Sequence, residues 1–303
     1  MVRFYAIIYL LINKKEMIFL IDVAVIGAGP GGLSAAVSAL QRNKSVTIFG
    51  RSIDSGLLFS AKEVDNYLGM PNMTGEDMLN AFFSHAINKG AEFKECRVSQ
   101  ILSMGDYFMI NAENEFFEAK TIILALGVNK SRTIKGEEEL IGKGVSYCAT
   151  CDGMLYRNKD VFVVGETTEG EAEANYLASI GCNVSYVPLY KDLIHIDDKV
   201  NVISGKAESV LGNDYVEGIV VNGEEKQCNA VFFAKKTMPV ASLMFGLETE
   251  DNSIKVDRNM CTNIAGVYAC GDCTGAPFQV SKAVGEGLVA ALSAAKYIED
   301  NQK

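Results

Sequence analysis

Short apolar runs alternate with polar and glycine-containing stretches along the chain and predict strands that alternate with helices. Residues 21–26 are apolar except for one aspartate and predict a buried parallel strand. Residues 33–41 predict an alanine-rich helix, and residues 46–49 predict a second apolar strand. Together these segments predict a βαβ unit with a glycine-rich turn after its first strand.

The same order of elements returns further along the chain. Residues 161–164 predict a strand, residues 170–180 a helix and residues 184–187 another strand. The other predicted elements are strands at 119–124 and 230–234 and helices at 76–89 and 280–298. This alternation is typical of α/β folds built on parallel sheets.

Length, composition and charge limit the possible functions. A chain of 303 residues predicts two domains, because single hydrophobic cores stop growing near about 250–300 residues. With 49% hydrophobic and 22% charged residues, the chain is expected to be globular. The net charge of −10 argues against non-specific binding of nucleic acid, which requires clustered lysine and arginine.

The N-terminal apolar run at residues 4–12 is stopped by charged residues at 14–16. It is too short to span a bilayer, which takes about 20 residues. It also lacks the basic start and the small-residue cleavage site of a signal peptide. We favour a start at Met17 over Met1, because Met17 leads directly into the first strand. The sequence therefore predicts a soluble, cytoplasmic protein that does not bind a membrane.

The first turn, residues 27–32, fits the G-x-G-x-x-G pattern of dinucleotide-binding folds. Gly27 is expected to form the tight turn, Gly29 to let the backbone approach a pyrophosphate, and Gly32 to let helix and strand pack closely. The alternative is that these glycines serve only a turn. An acidic residue for the ribose is missing after the second strand, where Gly50-Arg51 stands.

The second turn, residues 165–170, keeps the shape of a nucleotide site but has lost its chemistry. Its central glycine is replaced by Thr167, whose side chain would obstruct the approach of a pyrophosphate. Glu166 and Glu169 add negative charge where a dianion would lie, which is unfavourable by Coulomb's law. Residues 188–190, P-L-Y, offer no arginine for a 2′-phosphate.

Two thiols stand two residues apart in C-A-T-C, at Cys148 and Cys151, and Asp152 follows. Such a pair can close into a disulfide, reopen to a dithiol or supply half of a metal site. His85 and His195 are far from this motif in sequence, so no metal is expected. The carboxyl group of Asp152 is placed to give a proton to a departing thiolate.

The other cysteines carry less chemistry. Eight cysteines in a chain of this length suit a reducing compartment with one catalytic pair. Cys270 and Cys273 form a second C-x-x-C, but we interpret them as small buried residues that flank Asp272 at the end of a strand. The cysteines expected to be isolated core or surface thiols are Cys96, Cys182, Cys228 and Cys261.

Over residues 21–298 the chain resembles the low-molecular-weight thioredoxin reductase family. The resemblance rests on the turn at 27–32, on C-A-T-C-D-G at 148–153, on E-V-D-N-Y-L-G at 63–69, and on Gly271-Asp272 with Gln279 after it. It implies an α/β fold of two Rossmann-like domains of the three-layer ββα type, the second inserted into the first.

The resemblance also implies how the two domains divide the work. Residues 17–131 and 254–303 are expected to form a discontinuous FAD-binding domain. Residues 132–253 are expected to form an inserted redox domain, with the cysteines on a degenerate NADPH-domain fold. Members of the family are homodimers whose inserted domain rotates, so that the dithiol meets the flavin and thioredoxin in turn.

Individual roles follow from the same resemblance. Cys151 is expected to be the thiol nearer the flavin, Cys148 the one that attacks thioredoxin, and Asp152 the proton donor. Tyr67 is the aromatic residue expected near the flavin. The residues expected to bind FAD are Gly27, Ala28, Gly29, Pro30, Gly32, Gly50, Arg51, Gly56, Leu57, Asn66, Val98, Gly127, Gly271, Asp272, Phe278, Gln279 and Val280.

The chain departs from typical members at the second nucleotide site. Those members keep an intact glycine turn and a basic H-R-R run, which are absent here. This pattern resembles the ferredoxin-dependent flavin thioredoxin reductases, and it implies that ferredoxin supplies electrons through FAD to the cysteine pair and on to thioredoxin. Because ferredoxins are acidic, we expect docking at a local basic cluster, for which Lys130, Arg132 and Lys135 are candidates.

Three alternatives remain open. The same fold can run backwards as an FAD-dependent dithiol oxidase that passes electrons to oxygen. A conventional NAD(P)H-dependent reductase with a degenerate turn is also possible, because backbone adjustment sometimes rescues such a turn. A flavoprotein used only for binding or regulation is least favoured, since it would not need both cysteines and Asp152.

Overall fold

The computed structural model describes residues 20–113, 115–128, 133–191, 193–235, 239–250 and 253–301. The N-terminal apolar run, the choice between Met1 and Met17, and two members of the basic cluster, Lys130 and Arg132, lie outside these ranges. Within them, no helix combines the length and the apolar character needed to cross a membrane.

Seven strands form the first sheet. They are β1 (Ile21–Ile26), β2 (Val46–Gly50), β3 (Glu92–Glu95), β4 (Val98–Ser103), β5 (Phe108–Ala112), β6 (Glu115–Leu124) and β17 (Val267–Ala269). Their order is β3-β2-β1-β6-β5-β4, and β17 pairs with the second half of β6. Strands β1, β2, β3, β6 and β17 run parallel, whereas β5 is antiparallel to both neighbours.

Helices α1 (Pro30–Leu40) and α6 (Val280–Asn301) pack together against the first sheet, and α2 (Gly75–Asn88) adjoins α1. Their close approach depends on glycine. A Cβ atom built on Gly287 would lie 2.2 Å from the carbonyl oxygen of Gly31, so a side chain there would push the helices apart. This packing brings the N-termini of α1 and α6 to the same edge of the sheet.

The second sheet has the strands β7 (Val145–Ser146), β8 (Asp160–Gly165), β9 (Asn183–Pro188), β10 (Asn201–Val202) and β14 (Ala230–Ala234). All of them run parallel, in the order β10-β9-β8-β14-β7. An antiparallel sheet covers one face, with strands β11 (Ala207–Leu211), β12 (Gly218–Val221) and β13 (Glu224–Gln227). Helix α4 (Glu169–Ser179) covers the other face. The remaining short elements are α3 (Ala149–Asp152), α5 (Val240–Leu243), β15 (Thr249–Glu250) and β16 (Ser253–Ile254).

The prediction of an α/β fold with two βαβ units is confirmed. Predicted helices 76–89 and 170–180 appear one residue earlier, as α2 and α4. The second sheet comes from chain that lies between the two parts of the first sheet, β1 to β6 and β17. The proposed boundaries near residues 131 and 253 fall beside stretches outside the described ranges, and they stay a prediction.

Candidate functional site

A cavity of about 770 Å³ lies at the carboxyl ends of β1, β2 and β6, beside the N-termini of α1 and α6. The turn after β1 shapes its floor. Gly27 has a φ of +117°, and a Cβ atom there would lie 2.2 Å from the carbonyl oxygen of Ala125. Gly29 is different, because a Cβ atom at this position meets nothing within 4 Å. The turn is therefore tight at Gly27 and open toward the cavity at Gly29.

This turn leads into a helix start that suits an anion. Helix α1 begins at Pro30, its N-cap Gly29 offers no side-chain cap, and no acidic residue stands in its first turn. The first N–H groups of a helix lack intrahelical partners and carry partial positive charge, so they favour a phosphate. Gly32 lies beneath the turn, where a Cβ atom would come within 2.0 Å of the carbonyl oxygen of Gly27.

The structure brings the residues expected to bind FAD to this cavity, with two exceptions. Gly32 packs beneath it, and Val98 is buried in the core of the first sheet opposite Ala112. Tyr67 also does not line the cavity, and its ring packs edge-to-face on Phe82. Phe278 is an aromatic residue that does line the cavity. Over the cavity, the side-chain amide of Asn66 donates to Gln279 at 2.8 Å.

A charged pair on α6 holds the turn around Asp272, and sequence reasoning missed it. The Lys282 ammonium donates to the carbonyl oxygens of Gly271 and Gly275 at 2.9 and 2.7 Å and forms an ion pair with Glu286 at 3.2 Å. Burial raises the pKa of Asp272, while the charge of Lys282 opposes that rise. The signal available in sequence was an i,i+4 charge pair on the helix that follows Gly-Asp.

The cysteine motif forms a disulfide between Cys148 and Cys151 at the start of the short helix α3. The backbone N–H of Cys151 donates to the Cys148 sulfur at 3.2 Å. Asp152 accepts a hydrogen bond of 2.7 Å from the Ser146 hydroxyl. Desolvation raises the pKa of Asp152, and the Ser146 hydrogen bond only partly offsets it. A carboxyl group with a raised pKa is suited to holding a proton near the disulfide.

Asn111 of β5 lies against the disulfide, although no pattern in the sequence pointed to it. Its side-chain nitrogen donates to the Cys151 sulfur at 3.0 Å, and its side chain is buried. Cys148 faces another space, a cleft of about 890 Å³ between the two sheets. This cleft shares Arg51 and Ser52 with the cavity at the carboxyl ends of β1, β2 and β6, but neither cysteine lines that cavity within the described residues.

Behind the disulfide lies a buried charged group that sequence reasoning also missed. The Lys235 ammonium and the Tyr147 hydroxyl both donate to Glu137 Oε1, each at 2.5 Å. Burial and the charge of Glu137 raise the pKa of Tyr147, so the hydroxyl keeps its proton. Because Tyr147 directly precedes Cys148, this group anchors the start of the cysteine motif to β14.

The second turn is filled by side chains of the protein. The Tyr186 hydroxyl lies under Gly165 and Gly170, where added Cβ atoms would meet it at 2.3 and 2.7 Å. Tyr186 and Tyr190 share a hydrogen bond of 2.9 Å, and Tyr190 donates to Glu171 at 2.6 Å. Glu171 also accepts backbone N–H groups of the loop at residues 194–195.

Arg97 closes the opposite side of this turn. It precedes β4 in the first sheet, and its guanidinium reaches the first turn of α4. There Nη1 donates to Glu169 at 2.9 Å, and Nη2 donates to the carbonyl oxygen of Lys235 at 2.7 Å. In dinucleotide-binding folds the helix N-terminus after the first strand is the place of the pyrophosphate. Here that place holds a cation from the other sheet.

Comparison with known proteins decides the family. The model for "Pyridine nucleotide-disulphide oxidoreductase" matches residues 21–287. The chain belongs to this family. It is 33% identical to the thioredoxin reductase of Helicobacter pylori strain J99, over 92% of this chain and 99% of that protein.

Solved structures of the same family agree with this placement. A ferredoxin-flavin thioredoxin reductase from Clostridium acetobutylicum is 42% identical, has a TM-score of 0.79 and covers 93% of this chain and 99% of its own. The atypical thioredoxin reductase of Desulfovibrio vulgaris Hildenborough is 30% identical, with a TM-score of 0.72 and coverages of 92% and 98%. The two-domain Rossmann-like fold predicted from sequence is confirmed.

Membership of this family settles the broad chemistry. The chain is a flavoprotein disulfide reductase of the thioredoxin reductase type, and FAD is the cofactor of such enzymes. The cavity fits that group, because an open glycine turn and an uncapped helix start meet one end of it and Asp272 meets another part. Among the described residues, no three histidine, cysteine or acidic side chains group closely enough to hold a metal ion.

Proposed function

We propose that this protein is a ferredoxin-dependent thioredoxin reductase, in which electrons pass from reduced ferredoxin through FAD and the Cys148–Cys151 disulfide to thioredoxin. The observation that carries the proposal is the filled second nucleotide turn. Arg97 reaches the first turn of α4, where dinucleotide-binding folds hold the pyrophosphate, and Tyr190 follows β9, where such folds recognise the ribose; both side chains are held by hydrogen bonds. A nicotinamide coenzyme would have to displace both groups.

Charge adds to this obstacle. Glu169 and Glu171 stand in the first turn of α4, where a coenzyme pyrophosphate would need positive potential. Thr167 places a side chain at the position of the central glycine. The relative from Clostridium, a ferredoxin-flavin enzyme, shares 42% of its residues with this chain, against 33% for the thioredoxin reductase of Helicobacter pylori.

The first half of the proposed reaction is the reduction of the Cys148–Cys151 disulfide. FAD, when bound, connects a one-electron donor to a two-electron acceptor. Reduction of the disulfide breaks the bond between the two sulfurs and takes up two electrons and two protons, so two ferredoxin molecules are oxidised for each dithiol. Ser146 holds Asp152 beside the disulfide, and Asn111 holds Cys151 in the orientation described above, before the disulfide meets the flavin.

Thioredoxin is then reduced by thiol–disulfide exchange. The thiolate of Cys148 attacks one sulfur of the thioredoxin disulfide and forms a mixed disulfide, while the other thioredoxin sulfur leaves as a thiolate. Asp152 supplies a proton to that leaving group. Cys151 next attacks Cys148, which releases reduced thioredoxin and closes the original disulfide again.

The test is anaerobic bleaching of the flavin absorbance in the holoprotein, with NADPH, NADH and reduced ferredoxin supplied separately. We expect bleaching by ferredoxin alone, followed by reoxidation on addition of oxidised thioredoxin. Cys148→Ser is the control, since its flavin should bleach equally but should not be reoxidised by thioredoxin. Rapid bleaching by either nicotinamide would overturn the proposal, and bleaching by a small dithiol alone would indicate a dithiol oxidase.

The ferredoxin contact is a separate part of the proposal. Lys135 is exposed and belongs to the only cluster of basic residues that the sequence suggested for docking, although Lys130 and Arg132 are not described by the structure. Lys135→Glu is expected to slow ferredoxin-dependent bleaching about threefold and to weaken its dependence on salt. An unchanged rate would remove this cluster from the proposal.

We also propose the domain division and the dimer that the family resemblance implied. Residues 17–131 with 254–303 would form the FAD-binding domain, and residues 132–253 the redox domain. Sedimentation of the holoprotein should give twice the mass of one chain. The mass of a single chain across a tenfold or wider concentration range would refute the homodimer.

A further inference from the structure

The Arg97 side chain joins the two sheets beside the disulfide. Its own backbone stays in the first sheet, where the N–H group donates to Glu113 at 3.0 Å. Its guanidinium leaves that sheet and is only 22% exposed. Both guanidinium partners, Glu169 and the carbonyl oxygen of Lys235, belong to the second sheet and its helix.

Two oxygen atoms of the second unit, in Glu173 and Thr167, are buried hydrogen-bond acceptors that the Arg97 guanidinium does not bond in this orientation. Glu173, one turn along α4 from Glu169, is half-buried, and its Oε2 atom is fully buried with no hydrogen-bond partner among the described residues. The hydroxyl of Thr167 is also buried without a partner there. A buried acceptor without a donor lowers the stability of the fold. The Glu173 and Thr167 oxygens therefore offer further partners to the Arg97 guanidinium if it shifts from Glu169.

The orientation that Arg97 holds keeps the disulfide away from the flavin cavity. Cys151 rests on Asn111, and Cys148 faces the cleft between the sheets rather than the cavity. Exchange of electrons between a flavin and a disulfide requires the two to touch. The second sheet must therefore move relative to the first during each catalytic cycle, and the Arg97 contacts must break when it does.

We propose that Arg97 is a latch that holds the redox domain in this resting orientation, by seating its guanidinium in the former pyrophosphate position of the second turn. Arg97 is thus a positioning residue, which sets how often the disulfide leaves Asn111. The proposal rests on the disulfide reductase activity of the family and is independent of which donor reduces the flavin.

The latch is connected to the cysteine motif through Lys235 and Glu137. Lys235 accepts the Arg97 hydrogen bond through its carbonyl oxygen and pairs with Glu137 through its ammonium. Glu137 in turn holds Tyr147, the neighbour of Cys148. The guanidinium therefore binds the end of β14, to which the cysteine motif is anchored. When this hydrogen bond breaks, the cysteine motif and the second sheet can move together.

The geometry predicts which substitutions weaken the latch. A guanidinium donates in two fixed directions at once, and a lysine ammonium cannot reproduce that fork. Arg97→Ala removes both interdomain hydrogen bonds, Arg97→Lys keeps the charge, and Glu169→Gln keeps the shape of the partner while removing its charge. Lys226→Ala is the matched control, because Lys226 pairs with Glu224 at 2.6 Å inside the second unit.

The experiment measures the distance between probes on the two units of the full-length holoprotein. Bioorthogonal spin labels at two exposed positions report on the two units: Asp106 lies between β4 and β5 of the first sheet, and Glu225 lies on β13 of the antiparallel sheet that covers the second sheet. We expect one dominant distance in the parent protein and in Lys226→Ala. Arg97→Ala should raise the minor population about tenfold, with Arg97→Lys and Glu169→Gln in between.

Salt supplies a second readout that a purely structural role would not give. The Arg97–Glu169 pair is partly exposed, so added salt should screen it and widen the distance distribution of the parent protein. The same salt should leave Arg97→Ala unchanged. Equal distributions in the parent and Arg97→Ala, with flavin content and helicity intact in both, would overturn the latch. No electron donor is used, so this result stands apart from the test of ferredoxin dependence.

Discussion

The side-chain nitrogen of Asn111 lies 3.0 Å from the sulfur of Cys151, across the junction of the two sheets. A hydrogen-bond donor at a sulfur stabilises the thiolate form. The contact therefore acts on the chemistry of Cys151 as well as on its position. In this orientation Cys151 is held against the first sheet, while Cys148 is left facing the cleft.

Replacing Asn111 by alanine should make the Cys151 thiol less acidic in the reduced protein. One hydrogen bond is worth about 1 kcal/mol, so alkylation of Cys151 near neutral pH is expected to slow about fivefold. The measurement is the pH dependence of iodoacetamide labelling, followed by peptide mass spectrometry. Asn201→Ala, an exposed amide on the second sheet, is the control. Identical labelling profiles for the parent and Asn111→Ala would contradict this role.

Asp152 should act as an acid whose proton is needed for turnover. Asp152→Asn keeps the acceptor for Ser146 but removes the proton, and thioredoxin reduction is expected to fall about 100-fold. Bleaching of the flavin by its donor should change less than about twofold, since that step precedes disulfide exchange.

The pH profile supplies an independent check on Asp152. Desolvation raises its pKa, so the protein with Asp152 intact should lose activity as pH rises through that value. The Asn variant should lack this limb. A profile that keeps the same descending limb after Asp152→Asn would assign the proton to another group.

Glu173 should make stability fall as pH rises. Burial raises its pKa from 4.5 to about 7, although the charge of Arg97 opposes this. A carboxyl group with a raised folded-state pKa favours folding while protonated, so its contribution is complete below pH 4.5 and is lost as pH rises through 7.

Glu173→Gln mimics the protonated form and tests that assignment. It should raise the Tm at pH 8 by about 2 °C while leaving the Tm at pH 4.5 unchanged. Thermal unfolding of the two proteins across this range is the measurement. A parallel pair of curves, with no gain at high pH, would show that Glu173 is not the titrating group.

Gly29 and Gly32 form a matched pair for testing the flavin cavity. Gly29 has a φ of −81°, which alanine adopts freely, and a Cβ atom there meets nothing within 4 Å. Gly29→Ala should therefore leave the apoprotein as stable as the parent to within about 0.5 kcal/mol, because it changes only an open surface. Its methyl group would stand beside the cavity, so flavin content should fall about tenfold through steric exclusion.

Gly32→Ala should behave in the opposite way. Its Cβ atom would lie 2.0 Å from the carbonyl oxygen of Gly27, so the strand and helix must separate, at a cost of about 3 kcal/mol. Denaturant unfolding of the apoproteins and flavin absorbance per chain distinguish the two variants. Full flavin occupancy in a stable Gly29→Ala protein would mean that the turn does not meet the cofactor.

The features that could be predicted from the sequence are those whose interacting residues lie close together along the chain. The glycine turn at 27–32, the cysteine pair at 148 and 151 and the apolar strands are local patterns, and the structure contains them as expected. Val98 and Tyr67 do not line the cavity, because Val98 is buried in the core of the first sheet and Tyr67 packs on the Phe82 ring, and their contact with FAD stays a prediction.

Other features could not be predicted from the sequence, because they join distant parts of the chain. Asn111 and Cys151 are separated by 40 residues, and Arg97 and Glu169 by 72. Nothing near Arg97 in sequence indicates that its guanidinium will reach another sheet, because that depends on how the two units are placed. The same holds for the Glu137–Lys235 pair, whose members are 98 residues apart.

The network of Tyr186, Tyr190 and Glu171 has an evolutionary consequence. Restoring glycine at Thr167 would reopen only the centre of the second turn. Tyr190 would still be bonded to Glu171, and that carboxylate would still hold the backbone of the following loop. Replacing Tyr190 or Glu171 alone would break these hydrogen bonds before any coenzyme gained a place. Because of these surrounding hydrogen bonds, opening the second turn to a nicotinamide coenzyme would require several simultaneous substitutions.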